Sequence, residues 1–175
     1  MGRISRVAVL TLVAAGCARA ATQQSIIPEQ LEPPAGQRLS LIVAAKGVQI
    51  YECRESKERA GAWEWAFVAP QAELYDTTGT RIGRHFAGPS WESSDGSKLV
   101  GAVKARAEAP VAGAIPWLLL EVKSVAHDGA FARVASIQRV NTAGGMAPAV
   151  GCSESNAGTP VRVPYTADYY FFTAK

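Results

Sequence analysis

The chain is short of the side chains that most often hold metals or run acid–base chemistry. Among 175 residues it has two histidines, His85 and His127, and three cysteines. No His-x-His, His-x-x-x-His or Cys-x-x-Cys spacing occurs, so the compact ligand patterns of zinc and copper sites are missing. Gly-x-Gly-x-x-Gly is absent, which removes the dinucleotide-binding fingerprint. So is Gly-x-Ser-x-Gly, the nucleophile elbow of many hydrolases. No cofactor is expected. After residue 20 no apolar run approaches the ~20 residues needed to cross a bilayer as a helix. A clustered excess of Lys and Arg is also lacking, and with it the footprint of a nucleic-acid surface. Basic residues number 18 against 15 acidic ones. Arg3, Arg6 and Arg19 stand in the first 20 residues, and without them the balance is 15 to 15.

Those first residues read as an export signal. Arg3 and Arg6 form a positive start, Val7 to Ala15 an apolar core too short to span a membrane, and Ala18-Arg19-Ala20 a small-x-small cleavage site. A competing cut lies at Ala14-Ala15-Gly16-Cys17, which resembles a bacterial lipobox with Ala14 in place of the usual leucine. There Cys17 would be lipidated and anchor the chain. The expected location is the periplasm or the extracellular space, with lipoprotein anchoring as the alternative. Either cut leaves Cys53 and Cys152, and an even pair in an oxidising compartment points to a disulfide.

Residues 21–36, with Pro28, Pro33 and Pro34, read as a flexible lead-in, and 37–175 as one domain. Its most buried-looking stretch is Ala114 to Val122. Trp117-Leu118-Leu119-Leu120 is apolar on both alternating faces, as in a strand covered on both sides. A turn at His127-Asp128-Gly129 and the β-branched return Phe131 to Val140 make it half of an antiparallel hairpin. Upstream, Leu39 to Val43 reads as a strand, Lys46-Gly47 as a turn, and Val48 to Cys53 as a second strand with Val48 and Ile50 on one face. Trp63 to Val68 is a strand ending at Ala69-Pro70. Ala72 to Tyr75, Arg81 to Phe86 and Lys98 to Ala105 follow, separated by turns. Tyr165 to Phe172 closes the chain. Many short strands without a long amphipathic helix predict an all-β, single-domain antiparallel sandwich or partly open barrel.

Several segments then carry a resemblance. They are Lys46-Gly47-Val48-Gln49-Ile50-Tyr51-Glu52-Cys53, His85-Phe86-Ala87-Gly88-Pro89-Ser90-Trp91-Glu92, Asp95-Gly96-Ser97, Ile115 to Leu120, Ile137 to Thr142 and Pro164 to Tyr170. In this order, from about Pro34 to Phe172, the chain resembles a family of exported bacterial and fungal proteins grouped as domain of unknown function 3455. The resemblance implies an exported single domain with both cysteines inside family motifs. It brings no activity or catalytic residues. Some fungal members carry a malate dehydrogenase label, to which this sequence, without the nucleotide fingerprint, lends no support.

The candidate chemistry is sparse. A metal site would need His85 with His127, or one of them with Glu92, Asp95 or Asp128. A hydrolase would use His85 with Ser90, and a glycosidase pair would join Glu92 and Asp95. The plainer readings are a half-buried His85, a turn at Gly88-Pro89 with Trp91 in the core, and ordinary turn chemistry at Asp95. Trp63 and Trp65 share a strand face that could stack on a sugar, although a stripe continued by Phe67 more often faces a core. Tyr165, Tyr169 and Phe171 pose the same choice. Arg133 and Arg139 share parity with Phe131 and Ile137. A solvated face explains them, but a buried Arg139 would need a partner such as Glu121, Asp168 or a bound anion. The expected function is a non-enzymatic envelope or secreted binding module for an unidentified ligand or envelope component. The alternative is a small hydrolase or metal-dependent enzyme built on His85.

Overall fold

The structure, a computed structural model, describes residues 26–175. The export signal, its Ala20/Ala21 cut and Cys17 lie outside the described residues. Eight strands follow one another: β1 (Gln37–Glu55), β2 (Trp63–Tyr75), β3 (Arg81–Phe86), β4 (Ser90–Ser93), β5 (Lys98–Ala107), β6 (Trp117–Ala126), β7 (Val134–Gly144) and β8 (Pro160–Ala174). Each pairs antiparallel with the next, and β8 returns to β1, so one all-β sheet closes on itself as an irregular barrel. Closure removes the exposed edges that a sandwich would leave.

The expected hairpin is present as β6 and β7, with Leu118 opposite Arg139 and Leu120 opposite Ile137. Its loop is longer than a tight turn, because Phe131 belongs to the connection, and His127 takes a positive φ of 66°.

Two breaks expected from the sequence are absent from the sheet. Lys46-Gly47 is no turn: β1 runs through it for 19 residues. A Cβ on Gly47 would stand 2.1 Å from the Gln71 carbonyl oxygen, so glycine is required by the close approach of β2. β2 likewise continues through Pro70. It does so beside a register shift, where Ile50 pairs with Ala69 and Tyr51 with Phe67, leaving Val68 as the extra residue. β3 begins its pairing only at Ala72, beyond the proline.

Inside the barrel, alternate residues of every strand meet in one core that includes Val43, Leu74, Leu99, Leu120, Ile137 and Phe171. A second, smaller core lies outside the sheet. There Trp117, Leu119 and Val140 are covered by Leu31, from a single 3-10 turn at Glu29–Leu31. Gln138 Nε2 donates to the Leu31 carbonyl at 2.6 Å. This is why Trp117 to Leu120 is apolar on both faces: Leu118 and Leu120 point in, and Trp117 and Leu119 point out beneath the lead-in. The described part of that lead-in is therefore anchored at Leu31.

Cys53 and Cys152 are joined by a disulfide, with Cα atoms 5.3 Å apart. It ties the end of β1 to the long loop between β7 and β8.

Candidate functional site

Antiparallel order sends the C-terminal ends of β1, β3, β5 and β7 and the N-terminal ends of β2, β4 and β6 to the same mouth of the barrel. There the interior is hollow. A cavity of about 460 Å³ is lined on its polar side by Gln49, Tyr51, His85, Trp91, Arg139 and Tyr169. Its walls are Val103, Ile115, Leu118 and Leu120, and its rim is Phe67, Val68, Pro70 and the Ala87-Gly88-Pro89 turn. A volume of this size suits a small ligand. No Asp or Glu is among the lining residues.

Each polar residue arrives by strand parity. In β1 the buried positions are Val43, Ala45, Gln49, Tyr51 and Cys53, so the parity that packs the barrel lower down also delivers Gln49 and Tyr51 to the cavity. Arg139 pairs directly with Tyr169 and shares the inward face of Ile137. It is the one charged lining residue that is not exposed, since Arg106 lies at the surface. The expectation of a solvated face holds for Arg133, which is exposed, and fails for Arg139. Neither Glu121 nor Asp168 is its partner. Arg139 instead donates from Nε and Nη2 to the Pro116 carbonyl, at 3.1 and 2.8 Å.

His85 is 2% exposed. It stacks on Trp91 with ring centroids 4.4 Å apart and meets Tyr169 edge-on at 5.2 Å. Burial, with the Arg139 charge assisting, brings its pKa down to about 3. The ring is therefore neutral, and Nδ1, 2.8 Å from the Ser90 carbonyl oxygen, carries the proton that it donates there. Nε2 is left as an acceptor.

The barrel does not gather the other catalytic candidates around His85. The hydrogen bond with Ser90 runs to its backbone carbonyl and not to its hydroxyl. Glu92 alternates to the outer face and forms a two-pronged pair with Arg84, at 3.0 and 3.1 Å. Asp95 sits in the β4–β5 turn at the opposite end. Its oxygens accept from the Ser97 hydroxyl at 2.6 Å, the Ser97 amide at 2.9 Å and the Ala130 amide at 2.8 Å. These bonds, the Ser97 hydroxyl first, hold its carboxyl well below the usual carboxylate range. His127 lies in the β6–β7 connection. Among the described residues no group of three His, Cys, Asp or Glu side chains could hold a metal.

Trp63 and Trp65 are half-buried against the loop 147–152, beside a groove of about 250 Å³. Trp65 Nε1 donates to the Val150 carbonyl at 3.0 Å, so its polar edge is committed within the protein. The expectation that the stripe faces a core fails at Phe67, which is 54% exposed at the cavity rim and packs edge-on against Tyr51.

Gln49 was not legible as a site residue, and Trp91 and Tyr169 read more simply as core. All three carry a feature visible only in three dimensions. Five buried side-chain polar atoms have no hydrogen-bond partner among the described residues, and three of them are Gln49 Nε2, Trp91 Nε1 and Tyr169 Oη. The Tyr169 and Tyr165 hydroxyls lie near each other, and that of Tyr169 lies near the Arg139 guanidinium, without a completed bond. Native interiors rarely leave donors in this state. By contrast Tyr51, on the same wall, donates to the Gly145 carbonyl at 2.6 Å.

No curated protein and no solved structure matches the chain. The model of one family, described as "Protein of unknown function (DUF3455)", matches residues 34–173, and the chain belongs to that family.

Proposed function

Within a family that carries no assigned activity, we propose that this chain is an exported binding module that holds a small, largely apolar molecule in the hollow end of its barrel. One observation carries the reading: a cavity of about 460 Å³ is lined by apolar side chains together with three residues, Gln49, Trp91 and Tyr169, that each hold a buried polar atom without a partner among the described residues. Polar atoms stranded in a low-dielectric site are costly unless something completes them, and concave apolar sites with a few fixed polar groups are where small molecules bind. Export rests on the Arg3/Arg6 start, the Ala18-Arg19-Ala20 site and the Cys53–Cys152 disulfide, which suits an oxidising compartment. Among the described residues no helix is long and apolar enough to cross a membrane. A lipid anchor at Cys17 is the alternative mode of retention. Mass spectrometry of the mature N-terminus distinguishes a chain starting at Ala21 from a lipidated one starting at Cys17.

The hydrolase or metal-enzyme reading gains no support from His85, whose neutral ring is clamped between Trp91, Tyr169 and the Ser90 carbonyl. The test is a thermal-shift screen of small amphipathic compounds, repeated on Leu118→Trp, which fills the cavity from its wall. Compounds that raise the melting temperature of the natural chain are expected to lose that effect in the filled variant. Shifts that survive the filling would place binding elsewhere. A substrate turned over by the natural chain and not by His85→Ala, with the fold intact, would overturn the binding reading.

A further inference from the structure

The geometry points to the ligand's chemical class: a monoanion, a carboxylate on an apolar body, with its head group against Arg139. This rests on the cavity being a binding site at all. Four observations carry it.

The first is sign. Arg139 is the only charged lining residue withdrawn from the surface, and no carboxylate lines the cavity to neutralise it. A half-buried guanidinium that bonds to the Pro116 carbonyl and lies near the uncharged Tyr169 hydroxyl is short of countercharge. The second is donor excess. Gln49 Nε2, Trp91 Nε1 and Tyr169 Oη are buried without acceptors among the described residues, and each can donate to an oxygen. The third is the histidine. Its imidazole is neutral, with Nδ1–H committed to the Ser90 carbonyl, so it adds no second positive charge. One cation matches one negative charge, and a phosphate dianion would be left half-compensated. The planar fork of arginine also fits a carboxylate edge. The fourth is the body of the site. Val103, Ile115, Leu118 and Leu120 give the cavity an apolar lining, with Phe67 at its rim.

The probes are octanoate and 3-phenylpropanoate, each set against its primary amide, titrated calorimetrically into the natural chain, Arg139→Gln and Gln49→Met. The acids are expected to bind at least ten-fold more tightly than the amides. Arg139→Gln is expected to weaken the acids about ten- to a hundred-fold, as for loss of a charge-assisted hydrogen bond, and the uncharged amides several-fold less than the acids. Since Arg139 also holds the Pro116 carbonyl, Gln49→Met supplies the independent arm. It removes an amide whose Nε2 has no partner among the described residues, and is expected to weaken the acids about three- to ten-fold. Near-ultraviolet circular dichroism verifies that each variant keeps its packed aromatics. If amides bind as well as acids and Arg139→Gln changes neither, the anionic head is wrong and the binding module stands. If neither acids nor amides bind the natural chain, and no compound in the thermal-shift screen does, the inference and the reading beneath it both fail.

Discussion

The two ends of this barrel are made by the same eight strands and differ in what fills them. At one end Leu74, Leu99, Val134 and Phe171 close the interior, and Phe131 drops in from the β6–β7 connection to stack on Phe171 at 4.9 Å. That connection is tied down by Asp95 and by the Ser97 hydroxyl, which accepts from the Phe131 amide at 3.1 Å. At the other end parity brings in Gln49, His85, Arg139 and Tyr169, and the interior is hollow. Among the described residues, three of the five buried side-chain polar atoms without a partner belong to Gln49, Trp91 and Tyr169, which line the hollow end. A protein that gains nothing from the second end would be expected to fill it, because cavities and unpaired donors both lower stability. The packed end provides the fold, and the hollow end is where function is to be sought.

The largest expected effect breaks the packed end. Leu99→Ala, fully buried in the packed core, is expected to cost about 3–5 kcal/mol, and Leu118→Ala, on the cavity wall, about 2–3, because the new void merges with an existing one. Urea titrations of both variants measure the difference. Equal losses would mean that the hollow end is as tightly packed as the other.

Next in size is the disulfide, which fixes the loop beside the hollow end. Its reduction is expected to cost about 2–4 kcal/mol, the usual range for a disulfide and below the ~4.7 kcal/mol that chain entropy alone gives for so long a loop. Because the strands pair without it, a reduced protein should keep its β-sheet circular dichroism. Loss of the sheet on reduction alone would show that the barrel depends on that link.

The third effect belongs to His85. Its folded pKa is depressed from 6.5 to about 3, so between those values the unfolded chain binds a proton that the folded chain refuses. Stability is complete above about 6.5 and is lost as the pH falls, at about 1.4 kcal/mol per unit. From pH 6.5 to 4.5 the loss from this one group is expected to reach about 2–3 kcal/mol. His85→Asn should flatten that slope whatever its own stability. An unchanged slope would mean that the ring is protonated in the folded state.

How much of this was legible follows from the same contrast. The packed end speaks in the language that sequence patterns use. Trp117 to Leu120 is apolar on both faces because Leu31 covers the outside, and the β6–β7 pairing follows from it. The hollow end does not. In Val48-Gln49-Ile50-Tyr51 the apolar parity points to Val48 and Ile50 as the buried face, whereas the inside is Gln49 and Tyr51, because at the hollow end the inward parity carries polar side chains. Reading Lys46-Gly47 as a turn hid the continuity of β1 that carries the parity of Val43 and Ala45 through to Gln49. Arg139 was noticed for the mixture of apolar and cationic groups on its face. Its partner was not deducible, since the Pro116 carbonyl comes from the neighbouring strand's approach.

The smallest effect discriminates best, since it compares two hydroxyls on one cavity wall. Tyr51 donates to the Gly145 carbonyl at 2.6 Å, and Tyr51→Phe strands that carbonyl. The expected loss is about 1–2 kcal/mol. The hydroxyl of Tyr169 has no completed bond, while its ring packs edge-on against His85 and Trp91 and tilted against Phe171 in ways that phenylalanine would keep. Tyr169→Phe removes a desolvated group without stranding any partner, so stability should stay within about 0.5 kcal/mol of the natural chain or rise. Chemical denaturation of the two variants side by side reads the difference directly. A loss at Tyr169 equal to that at Tyr51 would mean that its hydroxyl already bonds to Tyr165 or Arg139, and that the donor excess at the hollow end is smaller than the geometry indicates. A neutral or stabilising Tyr169→Phe marks a group retained for something other than the fold.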